Sequence, residues 1–350
     1  MKQRLASICL AAALVVFAGS CAKVQSTGVN DASKRYFDAW ISLNYPNAPQ
    51  TALGSRILAD SEGSGSLIGS AETHPFIYGR YLVTDFNGNI SSFTDEATAK
   101  QLGSYRESAY YGPTVVWRSA GYLSAGVSEM FETMRVGGTR TVAIPGWLTS
   151  TTTTDYYDTA EEYLAKVSGG DPAIYTFSVE EAISDIVKWE IDSLSRYMAR
   201  HYPGVDSTAY GYYYIQTAEP LDTNAFTGGN TVYVNYTGRL LNGQVFDSTI
   251  EDTTKRYRLH VEGRTYEPVE LSWPNEGESV TFTSGSSAIS GFEKCVHAMR
   301  AGEKGVCIFY SGLGYGVKGG GSSIPAISPL IFEIQMLGEN SDGRIEIKEE

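Results

Sequence analysis

One order of parts occurs twice in this 350-residue chain, and a chain written that way is expected to fold as two similar bodies rather than one. Tyr45-Pro46, four residues and Thr51-Ala52-Leu53-Gly54 recur as Tyr202-Pro203, four residues and Thr208-Ala209-Tyr210-Gly211. A helical pattern precedes each copy. Phe37, Trp40, Ile41 and Tyr45 share one helix face, and Ile183, Ile186, Val187, Trp189, Ile191, Leu194, Tyr197 and Met198 predict a longer helix. Pro46 and Pro203 stop each helix shortly after its end. Asn87-Gly88 and Asn242-Gly243 lie between strand-like runs, which is a hairpin signal. Met134-Arg135-Val136-Gly137 answers Met299-Arg300-Ala301-Gly302, and each leads into a strand pattern. Tyr175, Phe177 and Val179 alternate as do Leu330, Phe332 and Ile334, predicting the last strand of each copy. The fold class read from this is α+β, with domains at 46–180 and 205–340, each preceded by a helix. Residues 22–45 supply a tether and helix, 181–204 a connecting helix and 341–350 a charged tail.

The first 21 residues stand apart from the fold. Lys2 and Arg4 precede an apolar run from Leu5 to Phe17, which is shorter than the roughly 20 residues a membrane span needs. Ala18-Gly19-Ser20-Cys21 resembles a bacterial lipobox, with Ala18 where Leu is usual. That resemblance implies a signal peptide over 1–21, lipidation of Cys21 and a lipid-anchored protein of the cell envelope, in the outer membrane facing the periplasm. Soluble export and an uncleaved anchor are the other readings. Acyl chains bury methylenes at about 0.8 kcal/mol each, so such an anchor would hold. Cys295 and Cys307 are then the cysteines left to the folded part, either disulfide-bonded or two buried thiols. The 24 tyrosines and 37 glycines favour strands and tight turns over a helical bundle. A net charge of −13 repels phosphate backbones and makes nucleic acid a poor partner.

The second copy carries the motifs. Val232-Tyr-Val-Asn-Tyr236-Thr-Gly238 is followed by Asn242-Gly243-Gln-Val-Phe246-Asp247-Ser248. Ala288-Ile289-Ser-Gly291-Phe292-Glu293, Gly314-Tyr315-Gly316, Ile324-Pro325 and Leu330-Ile-Phe332-Glu333 come after them. Their order resembles that of the FKBP-type peptidyl-prolyl cis-trans isomerase family. The resemblance implies two FKBP-like domains, each a curved antiparallel sheet around a short helix, here running from near Gly291 to near Arg300. It assigns the catalytic pocket to Tyr236, Phe246, Asp247, Ile289, Phe292, Tyr315 and Phe332, with Val280, Ala288 and Ile324 completing the wall. Phe292 stands where the family usually has Trp as the floor. A segment at about 253–278 is longer than usual and is expected to extend a hairpin beside the pocket.

Glycine-rich 312–321 lacks the G-x-x-x-x-G-K-[ST] pattern and reads as a flap rather than a phosphate loop. The four histidines are scattered, and Cys295 and His297 lie on different helix faces, so no metal and no cofactor are expected. In the first copy Tyr81 keeps the position of Tyr236, while Ser91 and Ser92 replace Phe246 and Asp247 and Val127 replaces Phe292. A Thr-rich stretch at 149–154 and a helix-like stretch at 159–167 replace the flap, so this copy is expected to be degenerate. The expected function is isomerisation of X-Pro bonds in exported proteins during folding. Its partners would be proline-containing and unfolded polypeptides, and the membrane through the N-terminal lipid. The alternative is a lipid-tethered chaperone or binding module with weak or no isomerase activity, and an assembly subunit is a third reading. The two long helices either dimerise or cover their own sheets, so a homodimer stays open.

Overall fold

The computed structural model describes residues 28–153 and 156–340, so the signal peptide, Cys21, the first part of the tether and the tail lie outside the described residues. The first unit comprises α1 (Asp31–Asn44), β1 (Arg56–Ser61), β2 (Phe76–Thr84), β3 (Ile90–Phe93), α2 (Glu96–Gln101), β4 (Thr114–Trp117), α3 (Ala125–Met130), β5 (Thr139–Ile144), α4 (Ala160–Lys166) and β6 (Ala173–Ile183). The second comprises α5 (Ile186–His201), β7 (Tyr212–Ala218), β8 (Thr231–Leu240), β9 (Val245–Ser248), α6 (Glu251–Arg256), β10 (Val269–Ser272), β11 (Thr281–Phe282), α7 (Ser290–Ala298), β12 (Lys304–Phe309) and β13 (Leu330–Asn340).

Both sheets are antiparallel and share one strand order. The first runs β1-β5-β6-β2, with β3 and β4 both paired to β2; the second runs β7-β12-β13-β8, with β9 and β10 both paired to β8 and β11 added beyond β10. The asparagine-glycine pairs form the β2–β3 and β8–β9 hairpins. Gly88 and Gly243 have φ of 85° and 88°, a conformation that a side chain disfavours. Past each turn the same bonds recur. The Tyr81 amide donates to Thr94 Oγ1 at 3.0 Å, and the Tyr236 amide donates to Thr249 Oγ1 at 3.0 Å.

Register refines the correspondence of the copies. Phe177 lies opposite Tyr81 as Ile334 lies opposite Tyr236, and Tyr175 pairs with Val142 as Phe332 pairs with Cys307. Tyr175, not Phe177, therefore stands at the place of Phe332. Alternation fixes which face a residue takes, but a slip of two leaves the faces unchanged, and only pairing resolves it.

The helices also depart from expectation in detail. Ile183 ends β6 instead of starting the connecting helix, because Asp185 accepts the Lys188 amide at 3.0 Å and so caps α5 one residue before Ile186. Along β12, Cys307 and Phe309 join the core around α7, while Val306 and Ile308 pack with Leu194 and Met198 of α5. The second sheet is thus covered on both faces by its own chain. In the first unit, Phe37 and Ile41 of α1 join the main core, and Trp40 stacks on Phe86 with centroids 4.0 Å apart. Cys295 and Cys307 are buried and free, and burial followed by a hydrogen bond from Cys295 raises the Cys307 thiol well above its usual range. The long segment after β9 forms its hairpin late, where β10 pairs antiparallel with β11 through Leu271–Phe282 and Ser272–Thr281. It begins as α6, capped without a side-chain bond, continues as loop and reaches β10 only at Val269, which pairs with Val234.

Contacts also join the units. Ile327, between β12 and β13, is buried with Phe76, Val115 and Ile183 of the first unit. Its φ of 54° is unusual for a β-branched residue. The Tyr110 amide donates to the Ser322 carbonyl at 2.8 Å, and Gln244 Nε2 donates to the Ala109 carbonyl at 3.0 Å.

Candidate active site

Four aromatic rings from four separate elements meet beside α7. Tyr236 comes from β8, Phe246 from β9, Phe292 from α7 and Phe332 from β13. Ring centroids are 5.7 Å apart for Tyr236 and Phe292, 5.8 Å for Tyr236 and Phe332, 5.7 Å for Phe246 and Phe332 and 5.4 Å for Phe292 and Phe332. Three of these pairs are edge-to-face, the geometry that the ring quadrupole favours. Phe292 and Phe332 are buried, and Tyr236 and Phe246 are half-buried, so the cluster has a closed floor and an open rim.

Local sequence explains why the rings can approach. Gly238 has a backbone on which a Cβ would lie 2.3 Å from the Phe246 ring, so the glycine two residues after Tyr236 is what lets Phe246 lie across β8. A Cβ at Gly291 would meet Phe309 at 2.4 Å, which keeps α7 close to β12 and drives Phe292 inward. Phe309 in turn stacks beneath Phe332, with centroids 5.9 Å apart and planes 6° apart.

The polar rim is built around Asp247. Its Oδ2 accepts from Tyr236 Oη at 2.5 Å, and its Oδ1 accepts from the Ser248 amide at 2.9 Å and from Arg264 Nη2 at 3.3 Å. Burial first, and then the Asp247 carboxylate, hold the Tyr236 phenol well above its ordinary range. Tyr236 Oη is thus the donor and Asp247 the acceptor of the bond between them. Tyr315 is 40% exposed, and burial of its inner part, followed by the charge of Asp247, raises its phenol too. Ile289 caps α7 with extended backbone, and its N–H has no intramolecular acceptor among the described residues. Ala288 and Ile289 are half-buried against this core, whereas Val280 and Ile324 are buried within it. Nine of the ten sequence-assigned pocket residues are thus joined by packing or hydrogen bonding, with Val280 and Ile324 behind the surface rather than on it, while Tyr315 stands half-exposed on the segment after β12.

Sequence reasoning passed over several residues that shape the site. Phe309 had a signal, since it alternates with Cys307 along an apolar strand. Arg264 had none, because its loop gives no periodicity. Glu190 of α5 is buried and accepts from the Ser311 amide and Ser311 Oγ, both at 2.8 Å, anchoring the start of the segment that carries Tyr315. Burial pushes the Glu190 carboxyl up from its usual range, against the effect of these two bonds. Its apolar helix face gave no reason to expect an inward carboxylate.

Among the described residues of the first unit, the equivalent place is filled differently. Gly126 faces Ile144 as Gly291 faces Phe309, with a Cβ at Gly126 meeting Ile144 at 2.4 Å, so Val127 stands where Phe292 does and Ser124 where Ile289 does. All six residues of α3 are buried. Tyr156 Oη donates to the Leu123 carbonyl at 2.7 Å, which lays the segment before α4 over the start of α3. Arg118 is buried, donates to the carbonyls of Gly69, His74 and Ser128, and lies 5.6 Å from the Phe131 ring centre. Burial lowers its guanidinium to about 10.

The family model of the FKBP-type peptidyl-prolyl cis-trans isomerases matches residues 223–337. A probable FKBP-type peptidyl-prolyl cis-trans isomerase of Haemophilus influenzae is 32% identical over 161 residues, which are 46% of this chain and 55% of that protein. FK506-binding protein 2 of Dictyostelium discoideum is 32% identical over 113 residues, covering 32% of this chain and 67% of that protein. FK506-binding protein 1A of Aspergillus fumigatus is 32% identical over 113 residues, covering 32% of this chain and 80% of that protein. The chain therefore spans only about half the length of its Haemophilus relative but most of the Aspergillus one.

Proposed function

The chain belongs to the FKBP-type peptidyl-prolyl cis-trans isomerase family, and from that premise we propose that its second unit isomerises X-Pro peptide bonds at the ring-lined hollow. The observation that carries this reading is the closed floor of Phe292 and Phe332 under the half-open rim of Tyr236 and Phe246. The barrier to isomerisation, about 20 kcal/mol, is the amide resonance lost as the C–N bond twists. The planar amide is the more polar form, so a hollow that excludes water disfavours it relative to the twisted one. A prolyl ring packs among Tyr236, Phe246, Phe292 and Phe332. The Ile289 N–H holds one substrate carbonyl and Tyr315 Oη another, while Asp247 keeps Tyr236 in place. No nucleophile and no general base take part, and each 1.4 kcal/mol gained for the twisted form is about tenfold in rate.

The test is the isomerisation rate of an X-Pro peptide with the whole chain and with a variant carrying both Phe246→Ala and Asp247→Ala. Loss of the ring wall and the carboxylate is expected to lower kcat/KM by at least about 100-fold, or roughly 2.7 kcal/mol. An unchanged rate would remove the assignment.

The clients we infer are exported proteins, met by an enzyme held to the membrane at Cys21. The basic start, the short apolar run and Ala18-Gly19-Ser20-Cys21 support this reading. Labelled palmitate should enter the chain in a bacterial host and fail to enter Cys21→Ser; equal labelling of both would contradict it.

A further inference from the structure

Past Phe246 and Asp247 the site opens into a second cavity of about 340 Å³, walled by the segment after β9 and by residues 106–108 of the first unit. The first unit's loop is held there by three contacts. Glu107 accepts from Arg258 Nη1 at 3.1 Å, the Ala109 carbonyl accepts from Gln244 and the Tyr110 amide donates to Ser322.

The cavity differs in charge from the rest of the molecule. Arg106, Arg258 and Arg264 face Glu107 and Asp247, a net positive lining on a chain of net charge −13. Both carboxylates are already engaged. Glu107 accepts from Arg258 and from Tyr105 Oη at 3.0 Å, and Asp247 accepts from Tyr236, Ser248 and Arg264. Arg106 makes no side-chain hydrogen bond or ion pair among the described residues, so its guanidinium donors remain for a ligand. A guanidinium presents paired donors that match a carboxylate. Phe246 and Asp247 belong to both spaces, so a residue beside a bound proline, about 3.8 Å along the chain, reaches from the hollow to the cavity.

We propose that this cavity is a specificity subsite for an acidic side chain on the residue adjoining the proline, with Arg106 of the first unit as its main ligand. The proposal rests on the isomerase reading of the hollow. It also gives the first unit a role, since that unit supplies a wall and a charge to the site of the second.

The experiment compares kcat/KM for peptides bearing Glu, Ala or Lys on either side of the proline, using the full chain and Arg106→Glu at low and high salt. The unaltered chain is expected to favour Glu over Lys by about three- to tenfold at low salt, a solvent-accessible charge pair being worth little more. High salt should shrink the preference, and Arg106→Glu should bring the ratio to one or below. Because the readout is a ratio, it does not depend on the fraction of variant that folds. Turnover of the Ala peptide with no charge preference, or a preference that survives Arg106→Glu, overturns the subsite alone. Absence of turnover with every peptide overturns the isomerase reading and the subsite together.

Discussion

The N-terminal end of the central helix is sealed in one unit and open in the other, on the same strand order. Ser124 is 2% exposed beneath the Tyr156 segment, whereas Ile289, at the same place on α7, is half-buried and its amide has no acceptor among the described residues. The hydrogen bonds of Tyr81 and Tyr236 to their threonines show how closely the frames agree. What separates the units is what lies above the frame. One unit sets Ser124 and Val127 buried under the Tyr156 segment, while the other leaves four rings with a rim. A shared fold therefore sets where a site can be, and the segments laid over it set whether one exists.

The comparison would be most severely tested by removing a ring at corresponding places. Phe332→Ala takes away a buried ring that touches Tyr236, Phe246, Phe292 and Phe309, so it should cost about 3–5 kcal/mol and most of the isomerase rate. Tyr175→Ala, at the equivalent place, should destabilise the first unit and leave turnover by the folded protein intact. Denaturant unfolding and peptide isomerisation of both variants check this. Equal losses of turnover would mean that the first unit also carries catalysis.

The smallest expected effect comes from building the missing residues. Ser91→Phe, Ser92→Asp and Val127→Phe placed together in a chain already carrying Phe246→Ala and Asp247→Ala should restore no measurable isomerisation. The helix end stays under the Tyr156 segment, and a phenylalanine at position 127 has only filled space to enter. Recovered activity would show that residue identity, not covering, separates the units.

Much of this is legible in the sequence. The asparagine-glycine turns and the alternating strands located both sheets, because turn geometry and side-chain alternation act over a few residues. The ordered motifs located the rings. The register of the last strands was not legible, since a slip of two preserves every face, and Ile183 was assigned to a helix because an apolar residue fits either element beside a cap. The segment at 253–278 extends a hairpin only at its end, through β10 and β11, after a helical turn and loop that leave no periodicity in the sequence.

By itself the sequence determined the duplicated frame and the chemical identity of each ring, both of which follow from local periodicity and residue type. Only the tertiary structure decided that Glu190 anchors the Tyr315 segment, that Arg264 reaches Asp247 and that Arg106 of one unit stands beside the site of the other. Those contacts join residues far apart in the chain, and no pattern in a short window records which distant surfaces meet when each unit buries its apolar faces.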